Sequence, residues 1–137
     1  MITTVEERNL ASARRWLLEV FNDKQIEAVP DIIADTYVNV GTTERRGIAA
    51  GEDVILQAEA WAPDRRIEIE HIAAQGQLVM VLFALSGTHT GQFRDVAPTG
   101  KPFRVLLSDI FLFDDNGQMV KAWVIGKGDL RNALWEA

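Results

Sequence analysis

The residue of this chain best suited to move a proton is an aspartate set among large apolar neighbours. Asp109 lies in Leu106-Leu107-Ser108-Asp109-Ile110-Phe111-Leu112-Phe113. Strand alternation puts Leu107, Asp109, Phe111 and Phe113 on one face and Leu106, Ser108, Ile110 and Leu112 on the other. A carboxylate in such a setting is costly unless it has a partner or a task. An apolar surround favours the protonated form, which makes Asp109 a candidate general acid or base near neutrality. The alternative is a structural carboxylate bonded to backbone N–H groups or to an arginine. His89, in Gly87-Thr88-His89-Thr90-Gly91, is the other proton carrier nearby. Its imidazole suits acid/base work, and it could equally bond backbone carbonyls across a bulge. A third feature is an aromatic set drawn from separate elements: Trp16, Tyr37, Trp61, Phe83, Phe111 and Trp123. These form either a bulky core or the wall of a pocket for a flat ligand, and the pocket is favoured if Asp109 shares it.

Other chemistries find little support. The 137 residues contain no cysteine, which excludes a thiol nucleophile, a disulfide framework and a thiolate metal site. Only two histidines are present, His71 and His89, and no ligand spacing points to a metal. No Gly-x-Ser-x-Gly, Gly-x-Gly-x-x-Gly or phosphate-cradling loop occurs, so no nucleotide or other cofactor is expected. The net charge of −6, with basic residues scattered rather than in a stripe, speaks against nucleic acid and anionic membranes as partners. No signal peptide or 18-residue apolar run is visible, and the expectation is a cytoplasmic protein.

The elements that must position these residues follow from periodicity. An amphipathic helix capped at Thr3 or Thr4 carries Leu10, Ala13, Leu17, Val20 and Phe21, with Trp16 beside them. A second helical stretch is expected over 25–34, restarting near Pro30, and a short strand over Tyr37–Val40. Thr42 to Gly51 is expected to be a loop, and a third helix to run from about Glu52 to Trp61, before Pro63. The period then changes to two. Ile67, Ile69 and His71 are expected to share the inner face of a half-buried strand, and 78–86 to form a central strand covered on both faces. Phe103–Phe113, a turn at Asp114-Asp115-Asn116-Gly117 and Met119–Ile125 read as a hairpin. Asp129–Trp135 is expected to add one closing helical turn. With 47% apolar residues and no linker or repeat, the chain is expected to fold as one domain over 1–137. Helices first and strands after predict an α+β fold, with helices packed on one face of a curved antiparallel sheet.

The chain resembles the SnoaL-like polyketide cyclases of the nuclear transport factor 2-like superfamily. The resemblance is carried by Ser86-Gly87-Thr88-His89-Thr90-Gly91-Gln92-Phe93, by Pro98-Thr99-Gly100-Lys101-Pro102, and by the Asp109–Phe113 and Gly117–Trp123 segments that follow. It implies a cone-shaped α+β barrel in which a strongly bent, mainly antiparallel sheet encloses a deep apolar pocket. It also implies a homodimer formed through the sheet and a cofactor-independent ring closure of a polyketide intermediate. The chain departs from the family in carrying Asn39-Val40 where many members have Asp-His. It has Val124 and Lys127 where many have an acidic residue near the final-strand tryptophan. Asp109 is left as the carboxylate on a pocket-facing strand.

The resulting expectation is a polyketide cyclase of lyase or isomerase type, acting in antibiotic or other secondary metabolism. It would fold a hydrophobic polyketide-like small molecule in an apolar pocket and close a ring by aldol-type or cycloaddition-type chemistry. Asp109 and His89 are the candidate catalytic groups, and the six aromatics are the candidate substrate-binding set. The alternatives are a non-catalytic binder of a hydrophobic small molecule, or an epoxide hydrolase or isomerase on the same fold.

Overall fold

In the computed structural model, which describes residues 1–40 and 45–126, the first helix, α1 (Thr4–Arg15), starts at a capping box. The Thr3 hydroxyl accepts the Glu6 N–H and the Glu6 carboxylate accepts the Thr3 N–H. Caps of this kind contribute about 1 kcal/mol. The helix runs on without a break into a π-helical stretch, Trp16–Asn22. Trp16, Leu17, Val20 and Phe21 all face inward, as their spacing predicts. Asn22 then ties the helix end to the sheet: it accepts the Ile67 N–H at 2.7 Å and donates to the Ile67 carbonyl at 2.9 Å.

A 3-10 turn (Ile26–Ala28) and a short helix, α2 (Val29–Ile32), with Pro30 in its first turn, lead into strand β1 (Ile33–Val40). The strand begins four residues earlier than its polar pattern indicated, because Ile33 and Ala34 are buried strand residues rather than the end of a helix. Helix α3 (Ile48–Trp61) likewise starts before the expected Glu52. Gly51 lies inside it instead of closing a loop. A Cβ at Gly51 would meet the Val29 and Ile33 side chains at 3.0 Å, so glycine here permits close helix packing at the expense of helix propensity.

Strands β2 (Arg66–Gln75), β3 (Leu78–Thr88), β4 (Pro102–Phe113) and β5 (Met119–Ile125) complete a five-stranded sheet in the order β1-β5-β4-β3-β2. All neighbours are antiparallel except β1 and β5, which run parallel. The β4–β5 hairpin closes as the Asn-Gly signal indicates. Gly117 takes φ 80°, and the Asp114 carboxylate accepts the Asn116 and Gln118 N–H groups at 2.9 Å. The helices pack on one face of this curved sheet, giving the α+β architecture expected.

The two faces of the sheet differ. On the inner face, Val79, Val81, Phe83 and Leu85 of β3 oppose Phe111, Asp109, Leu107 and Val105 of β4. On the outer face Met80, Leu82 and Leu106 are exposed, so β3 is central in the sheet yet covered on one side only. His71 is also placed differently from its alternation. A bulge between Ile69 and His71 shifts the register, turning His71 outward opposite Leu82 and bringing Ile72 inward opposite Val81. Among the described residues no helix is long and apolar enough to cross a membrane. The tail turn expected at Asp129–Trp135 lies outside the described residues.

Candidate active site

Between the helices and the inner face of the sheet lies a cavity of about 510 Å³. The π-helical stretch supplies Trp16, Leu17 and Phe21, α3 supplies Trp61, and β3 and β4 supply Phe83 and Leu107. Five polar side chains interrupt this apolar lining: Asn39, Gln57, Gln92, Arg94 and Asp109. Asp109 projects into the cavity with 7% of its surface exposed, and Asn39, on β1, is 5% exposed. Gln57, Gln92 and Arg94 are exposed and form the outer end. The cavity is therefore polar at both ends and apolar between.

Asp109 is the one carboxylate lining this cavity among the described residues. Its cross-strand neighbours on the inner face are Val81 and Val124, so both sheet positions flanking it are apolar. Tyr37 is buried close enough to feel its charge. Burial first, and the Asp109 carboxylate second, push the Tyr37 phenol well above its usual range and keep it neutral. Among the described residues no cluster of His, Asp and Glu could hold a metal ion.

The aromatic set is divided by the structure. Trp16, Trp61 and Phe83 line the cavity. Tyr37 and Phe111 are buried beside it, in the core rather than in the wall. Trp123 lies on the outer face, paired with Ile110, where it shares a shallow groove with Val40, Leu78 and Ile125. Its strand neighbour Val124 takes the inward position opposite Asp109.

His89 is fully buried yet does not line the cavity. It stands behind Trp61, the two rings edge-on with centroids 6.3 Å apart. The Thr99 N–H points at Nδ1 (3.4 Å) and the Thr99 hydroxyl lies 3.2 Å from the same atom, which leaves the ring proton on Nε2. The two loop motifs are closed on one another around this ring. The His89 N–H donates to the Lys101 carbonyl at 3.0 Å, and the Gly100 N–H donates to the His89 carbonyl at 2.8 Å.

The same loop holds the end of α3. The Trp61 carbonyl accepts the N–H groups of Thr90 and Gly91, both at 3.1 Å, which satisfies an orphan acceptor at the helix terminus. Gly91 is required there, because a Cβ would overlap the Ala60 carbonyl. Gly87 is pressed between the Asp64 carboxylate and Phe103. The Asp64 carboxyl, held below its usual range chiefly by the Thr88 N–H and then by the Thr88 hydroxyl, ties the strand end to the α3–β2 turn. Trp61 is thus fixed at its backbone by the loop and at its ring by Phe93 and Phe103, with centroids 4.8 and 5.2 Å away. Each such aromatic contact contributes about 1 kcal/mol.

Sequence reasoning passed over Asn39 as a pocket residue, and also Gln57, Gln92 and Arg94. Asn39 could have been found from β1 alternation, two residues from Tyr37. The other three face the cavity because of how a loop and a helix end meet, and no periodicity reports that.

A conserved-family model decides the relationship: the SnoaL-like polyketide cyclase model matches residues 11–127. The chain belongs to this family. Aklanonic acid methyl ester cyclase AcmA of Streptomyces galilaeus is 29% identical over 98 residues, covering 69% of this chain and 67% of that protein. The crystal structure of a protein assigned as a SnoaL-like polyketide cyclase from Jannaschia sp. CCS1 superposes with a TM-score of 0.87. It is 18% identical and covers 100% of this chain and 98% of that one. An M. tuberculosis LEH-like epoxide hydrolase shares the fold at a TM-score of 0.71 and 15% identity, covering 97% of this chain and 89% of that chain. Family members thus build this cone of helices over a bent sheet, and different reactions are named on it.

Proposed function

We propose that this family member is a cofactor-independent cyclase that closes a ring in a polyketide-like substrate. The observation that carries the proposal is a single carboxylate, Asp109, set in the wall of a mainly apolar cavity of about 510 Å³. The cavity folds the substrate so that its reacting carbons meet, which supplies proximity and orientation. In an aldol closure Asp109 takes the proton from a carbon flanked by carbonyl groups. The enolate attacks a second carbonyl of the same chain, and the carboxylic acid returns the proton to the new alkoxide. Tyr37, kept neutral beside Asp109, does not compete as a base. His89 acts as a positioning residue through Trp61 rather than as a group in contact with substrate. With Val81 and Val124 flanking Asp109, the acid/base assistance is limited, and a cycloaddition that needs no proton transfer fits the same cavity.

The test is to incubate the protein with aklanonic acid methyl ester and, in parallel, with the corresponding free acid, followed by chromatography and mass spectrometry. Ring closure gives a product of unchanged mass and altered retention, formed faster than in the protein-free control. Ligand retained unchanged on the protein in native mass spectra would overturn catalysis in favour of a binder. The epoxide hydrolase reading predicts addition of one water to an epoxide substrate. A lone cavity carboxylate argues against it, since water activation and leaving-group protonation ordinarily fall to separate groups. For the outer face we propose a second copy of this chain as the cover, packing sheet against sheet over Met80, Leu82, Leu106 and Ile125.

A further inference from the structure

We infer that Arg94 is a specificity-determining residue that binds a carboxylate on the substrate at the outer end of the cavity. The inference rests on the reading of the cavity as a substrate pocket and narrows the substrate to an amphiphilic acid. Arg94 is the one cation lining the cavity among the described residues. Its guanidinium lies over the Phe93 ring, 5.5 Å from the centroid, and that ring in turn packs on Trp61 of the cavity wall. The exposed cation is therefore within cation–π range of a ring that belongs to the cavity wall.

The backbone around it is built to present it. Phe93 and Val96 exchange two backbone hydrogen bonds, at 3.0 and 2.8 Å, leaving Arg94 and Asp95 at the tip of a tight turn. Arg94 takes φ 51°, a left-handed conformation that costs free energy to a residue with a Cβ. Gln92 holds this strained residue by donating to its carbonyl at 2.9 Å. A glycine or asparagine would relieve the strain at this position.

Its charge is also uncommitted. Arg15, Lys24, Arg45, Arg65, Arg66 and Arg104 each form an ion pair with a carboxylate. Arg94 forms none among the described residues, as is also true of Arg8, Arg14, Arg46, Lys101 and Lys121, but of these six it alone lines the cavity. An exposed planar fork of donors, in a cavity lining that also includes Gln57 and Gln92, matches a carboxylate. The arrangement also orients the ligand. An anionic group is attracted to the exposed Arg94, so the substrate enters with its carboxylate outward and its reacting carbons toward the buried Asp109.

The test uses a matched fluorescent pair, anthracene-2-carboxylate and its methyl ester, titrated at pH 7.5 into wild type, Arg94→Gln, Arg94→Lys and a cavity-filling Leu107→Trp variant. Arg94→Gln is expected to weaken the carboxylate about tenfold and to leave the ester within twofold. Arg94→Lys falls between, because it keeps charge without the fork. Raising salt from 50 to 500 mM weakens the carboxylate alone. Equal effects of Arg94→Gln on both probes, or none on the carboxylate, overturn the inference. If Leu107→Trp changes neither probe's binding, the cavity is not the ligand site, and both the proposed function and this inference fall. If Leu107→Trp abolishes ester binding while Arg94→Gln leaves the carboxylate untouched, only the role of Arg94 falls.

Discussion

From Val105 to Phe113, strand β4 carries two apolar faces with one polar residue each, and the two have opposite fates. Outward, Leu106, Ser108, Ile110 and Leu112 lie on a face that no helix among the described residues covers. Ser108 there bonds the Val81 carbonyl of the neighbouring strand at 2.9 Å. Inward, Leu107, Asp109, Phe111 and Phe113 are covered by α1, its π-helical extension and α3. Phe111 and Phe113 are packed solid, whereas Leu107 and Asp109 face an open volume. Apolar patterning alone therefore does not make a pocket. The cavity lies where Leu107 and Asp109 face Trp16, Leu17 and Phe21 of the π-helical stretch and Trp61 of α3, the last held by the loop at Thr90 and Gly91.

The largest test of this difference is Asp109→Asn. The volume is unchanged and the charge is lost, so turnover should drop by about 100-fold or more in a protein that still melts as wild type does. Turnover near wild type would move the chemistry to shape alone, as in a cycloaddition. Next is the neighbouring pair Leu107→Trp and Leu106→Trp, one residue apart on opposite faces. The inward substitution fills the cavity and should weaken an apolar probe about tenfold or more, while the outward one leaves its dissociation constant unchanged. Equal effects would show that ligands do not use the inner face. The smallest effect on the folded chain is expected from Leu82→Glu. Unfolding free energy should change by about 0.5 kcal/mol, as for other exposed sites. Light scattering should show the dimer dissociating, and a dimer that survives would remove the sheet face as its interface.

The inner and outer faces of β4 were legible from alternation, and so was the confinement of Asp109. The hairpin at Asn116-Gly117 and a helix start at Thr3 or Thr4 were equally plain, because each rests on residues close in the chain. What escaped notice depended on contacts across the fold. Gly51 looks like a helix breaker until Val29 and Ile33 are seen against it. His71 was assigned to the wrong face because a bulge leaves no mark in a two-residue period. Trp123 joined the pocket set by residue type, although its register with Ile110 turns it outward. Arg94 drew no attention, since it sits in a turn where neither helix nor strand periodicity applies. His89 lies in the part of the chain that identifies the family. That motif turned out to secure a helix end, a task that consumes glycines and backbone amides rather than reactive side chains.

The split of tryptophans between cavity wall and sheet exterior makes the protein its own optical sensor. Trp16 and Trp61 sit where a bound aromatic substrate would quench or shift their emission, and Trp123 sits where a partner subunit would screen it from an aqueous quencher. Replacing one indole at a time with phenylalanine would assign each signal. Occupancy and assembly could then be followed in the same cuvette, without a label and before any substrate is named.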